Sequence, residues 1–158
     1  MKFTRLTVGC LILSGLACAA SAADATKLPF DLYDGYFVSN QFEPDAAESF
    51  VVIDGQKQFD ETFGAGVVMG DRAHRLPKDA FQSNLVIAAI KRGPALWTFT
   101  IQNVSLNDGV VELRYAVTSK PSDSSTFACP LIVSIPKGRY QAVRFIENRK
   151  TVKEVMLK

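Results

Sequence analysis

The chain has 158 residues, 47% of them hydrophobic and 22% charged, with 18 basic and 16 acidic side chains. That length suits one domain that buries its own core without metal or disulfide staples. The apolar fraction and 11 phenylalanines exclude a disordered chain, and the lack of a long repeat excludes a solenoid.

Residues 1–22 read as a secretory signal. Lys2 and Arg5 form a short basic start, and residues 6–19 are an apolar run broken by Gly9, Ser14 and Gly15. Ala20-Ser21-Ala22 then has the small-x-small pattern of a cleavage site. The helix-loosening residues and that site argue against an uncleaved membrane anchor. A lipoprotein site at Cys18 is disfavoured, because Gly15 stands where such sites carry leucine.

Cleavage after Ala22 removes both signal cations, so the net charge falls from +2 to zero. A neutral domain has no electrostatic case for nucleic acid or an anionic membrane, and no stable membrane insertion is expected after cleavage. Cys10 and Cys18 leave with the signal, so Cys129 stands alone and an internal disulfide is excluded. The expected location is secreted or periplasmic.

Residues 23–158 read as a single β-rich domain, with 23–29 as a flexible leader. Residues 32–38, carrying Tyr33, Tyr36 and Phe37, have aromatic β character. Residues 41–48 form an acidic connection with Pro44, and 49–53 a short strand. Asp54 is positioned to cap a helix in which Phe59 and Phe63, four apart, share a face, and Gly64 is placed to stop it in a left-handed conformation. Residues 65–80 have no sustained period.

From Asn84 onward the pattern is β. Residues 85–90 are continuously apolar, as in a strand buried on both faces. After Arg92-Gly93-Pro94, Trp97, Phe99 and Ile101 alternate with Thr98, Thr100 and Gln102. Asn107-Asp108-Gly109 is a hairpin turn, and the returning strand puts Val111, Leu113, Tyr115 and Val117 on one face. Residues 127–135 form a further strand with Leu131, Val133 and Ile135 inward, where Pro130 implies an edge or a bulge. Residues 140–146 and 151–157 form a last hairpin, with Asn148 taking the left-handed angle in its turn. The sum is a mainly β (α+β) domain, an antiparallel sheet or sandwich of about seven strands with one short helix.

Chemistry is sparsely marked. His74 is the single histidine, in the charged stretch Asp71-Arg72-Ala73-His74-Arg75, and no ligand spacing joins it to Cys129, so no metal or cofactor is expected. A Cys129–His74 dyad with Asp71 orienting it is an alternative to a thiol packed in its apolar strand. The glycines of residues 64–70 follow a helix and precede Asp71, which excludes a phosphate loop. Asp31, Asp34, Glu43, Asp45 and Glu48 lack the alternation of a calcium loop and read as a solvated acidic surface. Arg92, Pro94 and Trp97 are the most interaction-like group, since Arg and Trp are enriched at binding hot spots; Trp97 packed inward with Phe99 is the competing reading.

Residues 81–136 resemble the C-terminal domain of PrcB-type protease-complex subunits. The resemblance rests on the apolar strand Asn84 onward to Arg92-Gly93, the alternating strand from Trp97 to Val104, the strand from Val111 to Val117, Pro121, and the closing Ile135-Pro136-Lys137. Val51-Val52-Ile53 and Phe59 match the segment before it. The family's Gly-Gly-Tyr after the first strand is replaced by Pro94-Ala95-Leu96-Trp97, so no functional residues carry over. The resemblance implies a non-catalytic domain that binds or stabilises an exported protease. The expectation is therefore an exported binding module whose partner is another exported protein, engaged through a sheet edge or the loop of residues 92–97. The alternatives are a carrier of a small apolar ligand, with its pocket between the sheet and the helix of Phe59 and Phe63, and a thiol-dependent enzyme using Cys129.

Overall fold

The structure is a computed structural model and describes residues 25–66 and 75–157. The signal segment and His74 lie outside the described residues. The elements in chain order are β1 (Thr26–Lys27), β2 (Asp31–Tyr33), β3 (Tyr36–Val38), β4 (Glu48–Ile53), α1 (Gln56–Thr62), β5 (Phe63–Ala65) and α2 (Ala80–Ser83). They continue with β6 (Asn84–Gly93), β7 (Ala95–Asn107), β8 (Val110–Pro121), β9 (Phe127–Pro136), β10 (Ala142–Glu147) and β11 (Lys150–Met156). Among the described residues no helix is long and apolar enough to cross a membrane.

The strands make a five-stranded sheet, β1-β7-β8-β10-β11, a four-stranded sheet, β2-β9-β6-β4, and a ribbon of β3 with β5. The fold is thus mainly β, a sandwich with little helix. Period-two alternation explains its layering. From β6, Leu85, Ile87 and Ala89 enter the space between the two sheets, where they meet Val111, Leu113, Tyr115 and Phe145. Val86, Ala88 and Ile90 point the other way, onto Tyr33, Val38, Phe59 and Phe63. Residues 85–90 are all buried, as a strand covered on both faces requires.

Two turns behave as their residues dictate. Asp108 and Gly109 have φ of 47° and 80°, which the tight β7–β8 hairpin needs. Asn148 and Arg149 have φ of 47° and 71° in the β10–β11 turn. The Asn148 side chain accepts from the Val117 N–H at 3.1 Å and donates to the Val117 carbonyl at 3.4 Å.

Several local expectations are corrected. The pairing is not antiparallel throughout: β9 crosses to the other sheet, and β10 returns to lie parallel to β8. That parallel pairing sets Arg144 between Glu112 at 3.1 Å and Glu154 at 2.7 Å. Residues 32–38, read as β in character, divide between β2 and β3, which join different sheets. Helix α1 starts from Gly55, with no side-chain cap from Asp54, and ends because Phe63 turns extended to begin β5 opposite Val38. Gly64 is therefore a strand residue facing Phe37, not a left-handed stop. A second helix, α2, precedes β6. Part of the expected flexible leader is paired: β1 lies antiparallel on β7, and Leu28 and Phe30 pack on the core. Pro130 sits on a stretch of β9 that β2 does not reach, since β2 pairs only with residues 132–134; the missing N–H faces no strand there.

Candidate interaction edge and the polar end of the core

The connection from β6 to β7 carries the residues singled out in the sequence, and it passes from one sheet to the other. Gly93 makes this possible. Its φ of +139° is one that side chains rarely adopt, and a Cβ there would stand 3.2 Å from the Trp97 ring. Arg92 and Trp97 consequently belong to different faces. Arg92 follows Val86, Ala88 and Ile90 onto the outer face of the four-stranded sheet. There its guanidinium donates to the Phe42 carbonyl at 2.9 Å, the Ala46 carbonyl at 3.2 Å and Ser49 Oγ at 2.7 Å. Burial pulls its pKa down, and nearby Glu43 acts in the opposite sense. Arg92 thus ties the 42–49 connection to the sheet. An open cavity of about 440 Å³ lies beside it, lined by Ala46, Ala47, Thr126 and Phe127 among others.

Trp97 is half-buried and follows the alternation of Ala95, Phe99 and Ile101, with Leu96, Thr98, Thr100 and Gln102 outward. Pro94 is exposed at the start of this strand. The backbone of β7 matters more than these side chains. On one side it pairs with β8 along its length, and on the other β1 reaches only Ser105 and Leu106. The direction of each free group follows from the register. Ser122 N–H donates to the Pro94 carbonyl at 2.9 Å, so Pro94 turns its carbonyl toward β8. Alternation then turns Leu96, Thr98 and Thr100 the same way. Val117, opposite Phe99, gives both its backbone groups to Asn148 on the far side, which agrees with that parity. Ala95, Trp97, Phe99 and Ile101 therefore direct N–H and C=O to the open rim, where no described strand meets them.

A second constellation was not foreseen. Lys91 continues the inward series Leu85, Ile87, Ala89, so its ammonium enters the end of the inter-sheet space. It lies 2.5 Å from Glu48 Oε1 and 3.0 Å from Glu147 Oε1, with its side chain 12% exposed. Burial pulls the Lys91 pKa down, but the hydrogen bonds and charges of Glu48 and Glu147 outweigh it, and the net shift is upward. Such a lysine stays protonated and is no nucleophile. Behind it Tyr115 is fully buried, with its hydroxyl set against the Glu147 carboxylate, whose Oε2 is also buried. Burial, then the charge of Glu147 and the phenol's hydrogen bond to that carboxylate, push the phenol well above its ordinary value. The signal in the sequence was parity: Glu48, Lys91 and Glu147 stand two residues from the inward Phe50, Ala89 and Phe145.

Cys129 is half-buried and is the register partner of Lys91, in the inward series with Leu131 and Val133. His74 is outside the described residues, so the dyad acquires no geometry. Among the described residues no three histidine, cysteine or acidic side chains are grouped to hold a metal. The space beneath α1, where a carried ligand was expected, is occupied by rings. Phe59 contacts Tyr36 edge-on at 4.9 Å, Phe63 at 5.2 Å and Phe81 at 5.8 Å. A smaller cavity of about 250 Å³ lies at the opposite end of the sandwich, beside Val52, Leu85, Tyr140 and Leu157.

Comparison of the chain with family models, curated proteins and solved structures finds no match. The reading of function rests on geometry.

Proposed function

We propose that this chain is an exported, non-catalytic binding module that takes up a strand from a partner protein along residues 95–101 of β7. One observation carries the reading: a long strand with its backbone groups at Ala95, Trp97, Phe99 and Ile101 directed outward to a rim where no described strand meets them. An edge of this kind is a template for strand addition, in which main-chain hydrogen bonds supply affinity and flanking side chains supply selectivity. Leu96, which is 48% exposed, and Trp97 at the strand's start are the side chains a partner strand would cover. The same class of function is implied by the resemblance to PrcB-type subunits. Export rests on the signal pattern of residues 1–22.

Amide hydrogen exchange on the processed chain tests this. The amides of Ala95, Trp97, Phe99 and Ile101 should exchange fast in the dilute protein and become protected when the proteins of its compartment are added. Slow exchange at these amides in the dilute chain, or no protection either on concentrating the chain or on adding those proteins, would overturn the reading. N-terminal sequencing of the exported protein should begin at Ala23; an unprocessed Met1 would remove the export component.

A further inference from the structure

We propose that the strand taken up by β7 is β7 of a second copy, so that the chain forms a two-fold dimer with one sheet running through both molecules. This rests on the binding-edge reading above and names its occupant. The argument is one of symmetry and charge. The free stretch begins after Gly93, which still pairs with Phe127 in the other sheet, and ends at the irregularity in the β7–β8 register after Ile101. The outward residues Ala95, Trp97, Phe99 and Ile101 are symmetric about Thr98. Two antiparallel copies centred there pair Ala95 with Ile101 of the partner subunit and Trp97 with Phe99 of the partner subunit, each twice. Every outward group then meets another outward group, which is what an isologous interface demands.

Side chains agree with this register. Trp97 meets the partner's Phe99 on the inner face, an aromatic cross-strand pair. On the outer face Leu96 meets the partner's Thr100, and Thr98 faces the partner's Thr98 across the axis. Residues 95–103 contain no charged side chain, so a strand set against its own copy brings no like charges together. Natural edges are usually guarded against such pairing by lysine or an inward charge, and this stretch has neither. The edge also already accepts a strand: β1 pairs antiparallel beside it, Leu28 N–H donates to the Val104 carbonyl at 2.9 Å, and the chain then leaves for the other sheet, which it joins at Asp31.

Mass as a function of concentration, measured on the whole processed chain, reads the proposal directly. Wild type should pass from monomer to dimer, with protection of the four outward amides rising over the same range. Thr98→Lys and Thr98→Glu each place like charges opposite one another in the closest type of cross-strand pair. Each alone should weaken the dimer at least about tenfold, and an equimolar mixture should restore it as a heterodimer. Thr98 is exposed, and melting equal to that of wild type at concentrations where both are monomers checks that the fold is retained. A monomer at every concentration, or a dimer unaffected by both variants, would overturn the proposal. If that monomer still gains protection at the four amides from other exported proteins, the binding-edge reading stands without the dimer. If it gains none, both fall.

Discussion

The two faces of the four-stranded sheet are built by the same alternation yet end differently. The outer face, under α1 and the β3–β5 ribbon, is closed by aromatic rings: Tyr36, Phe59, Phe63 and Phe81. The inner face, toward the five-stranded sheet, is equally apolar at its centre but finishes in Lys91, Glu48, Glu147 and Tyr115. The difference shows that a strand long enough to outrun its cover must change chemistry at its end. Strand β6 does so at Lys91 within two residues of fully buried Ala89 and Ile90. The covers differ too: a five-stranded sheet on one side, a seven-residue helix and a short ribbon on the other.

Removing a large ring from each face should expose that difference in cover. Phe145 is fully buried between the sheets and packs on Phe50 at 5.1 Å. Phe59 is 2% exposed beneath the helix. Two hydrogen-bonded sheets close poorly around a hole, whereas a short helix can settle into one. Phe145→Ala should therefore cost about 4–5 kcal/mol and Phe59→Ala about 3 kcal/mol, read from denaturant midpoints at constant slope. Equal costs would mean that the two covers are equally rigid.

The polar end of the inner face gives the next effect. Lys91→Met leaves Glu48 and Glu147 without their shared cation, in a site where Glu147 is 14% exposed. An uncompensated charge of that kind costs a few kcal/mol, and partial solvent access brings the expectation to about 2–3 kcal/mol. Adding Glu147→Gln to Lys91→Met should recover part of the loss, because it removes the charge left behind. A double variant no more stable than Lys91→Met would show that the loss was packing of the lysine stem rather than charge.

The face assignments of residues 85–90 and of Val111, Leu113 and Tyr115 were legible because burial writes itself as period two. The polar end was not, although it obeys the same period. Lys91, Glu48 and Glu147 are far apart in sequence, and a charged side chain at an inward position reads as the end of a strand until its partners are known. Asp54 misled for a related reason: capping chemistry was local, but the chain's need to enter β5 decided where α1 began and ended. Arg92 and Trp97 looked like one surface because they are five residues apart; a sheet-crossing bend at Gly93 lies between them. The bare edge of β7 depends on where β1 stops, which is a property of pairing and not of composition.

The smallest effect separates the hydroxyl of Tyr115 from its ring. The hydroxyl is buried against the Glu147 carboxylate, which also faces Lys91, so Tyr115→Phe removes one buried polar group and leaves Glu147 its lysine. The change should cost no more than about 1 kcal/mol at neutral pH, in contrast to both Phe→Ala variants. Alkaline stability sharpens the point. The ordinary values are 10.0 for the phenol and 10.5 for the lysine, and both groups are raised in the fold. Above those values the unfolded chain gives up both protons while the folded chain keeps them, so fewer protons are bound on unfolding and stability falls as pH rises. The contribution of each group is complete below its unfolded value and is lost on the way up to its folded one. Denaturant midpoints followed from pH 8 to 11 should thus decline for wild type and decline less for Tyr115→Phe, with the two curves separating only above about pH 10. Parallel curves would mean that the phenol is not held neutral by its burial beside Glu147, and that the polar end of the inner face is set by Lys91 and the two glutamates alone.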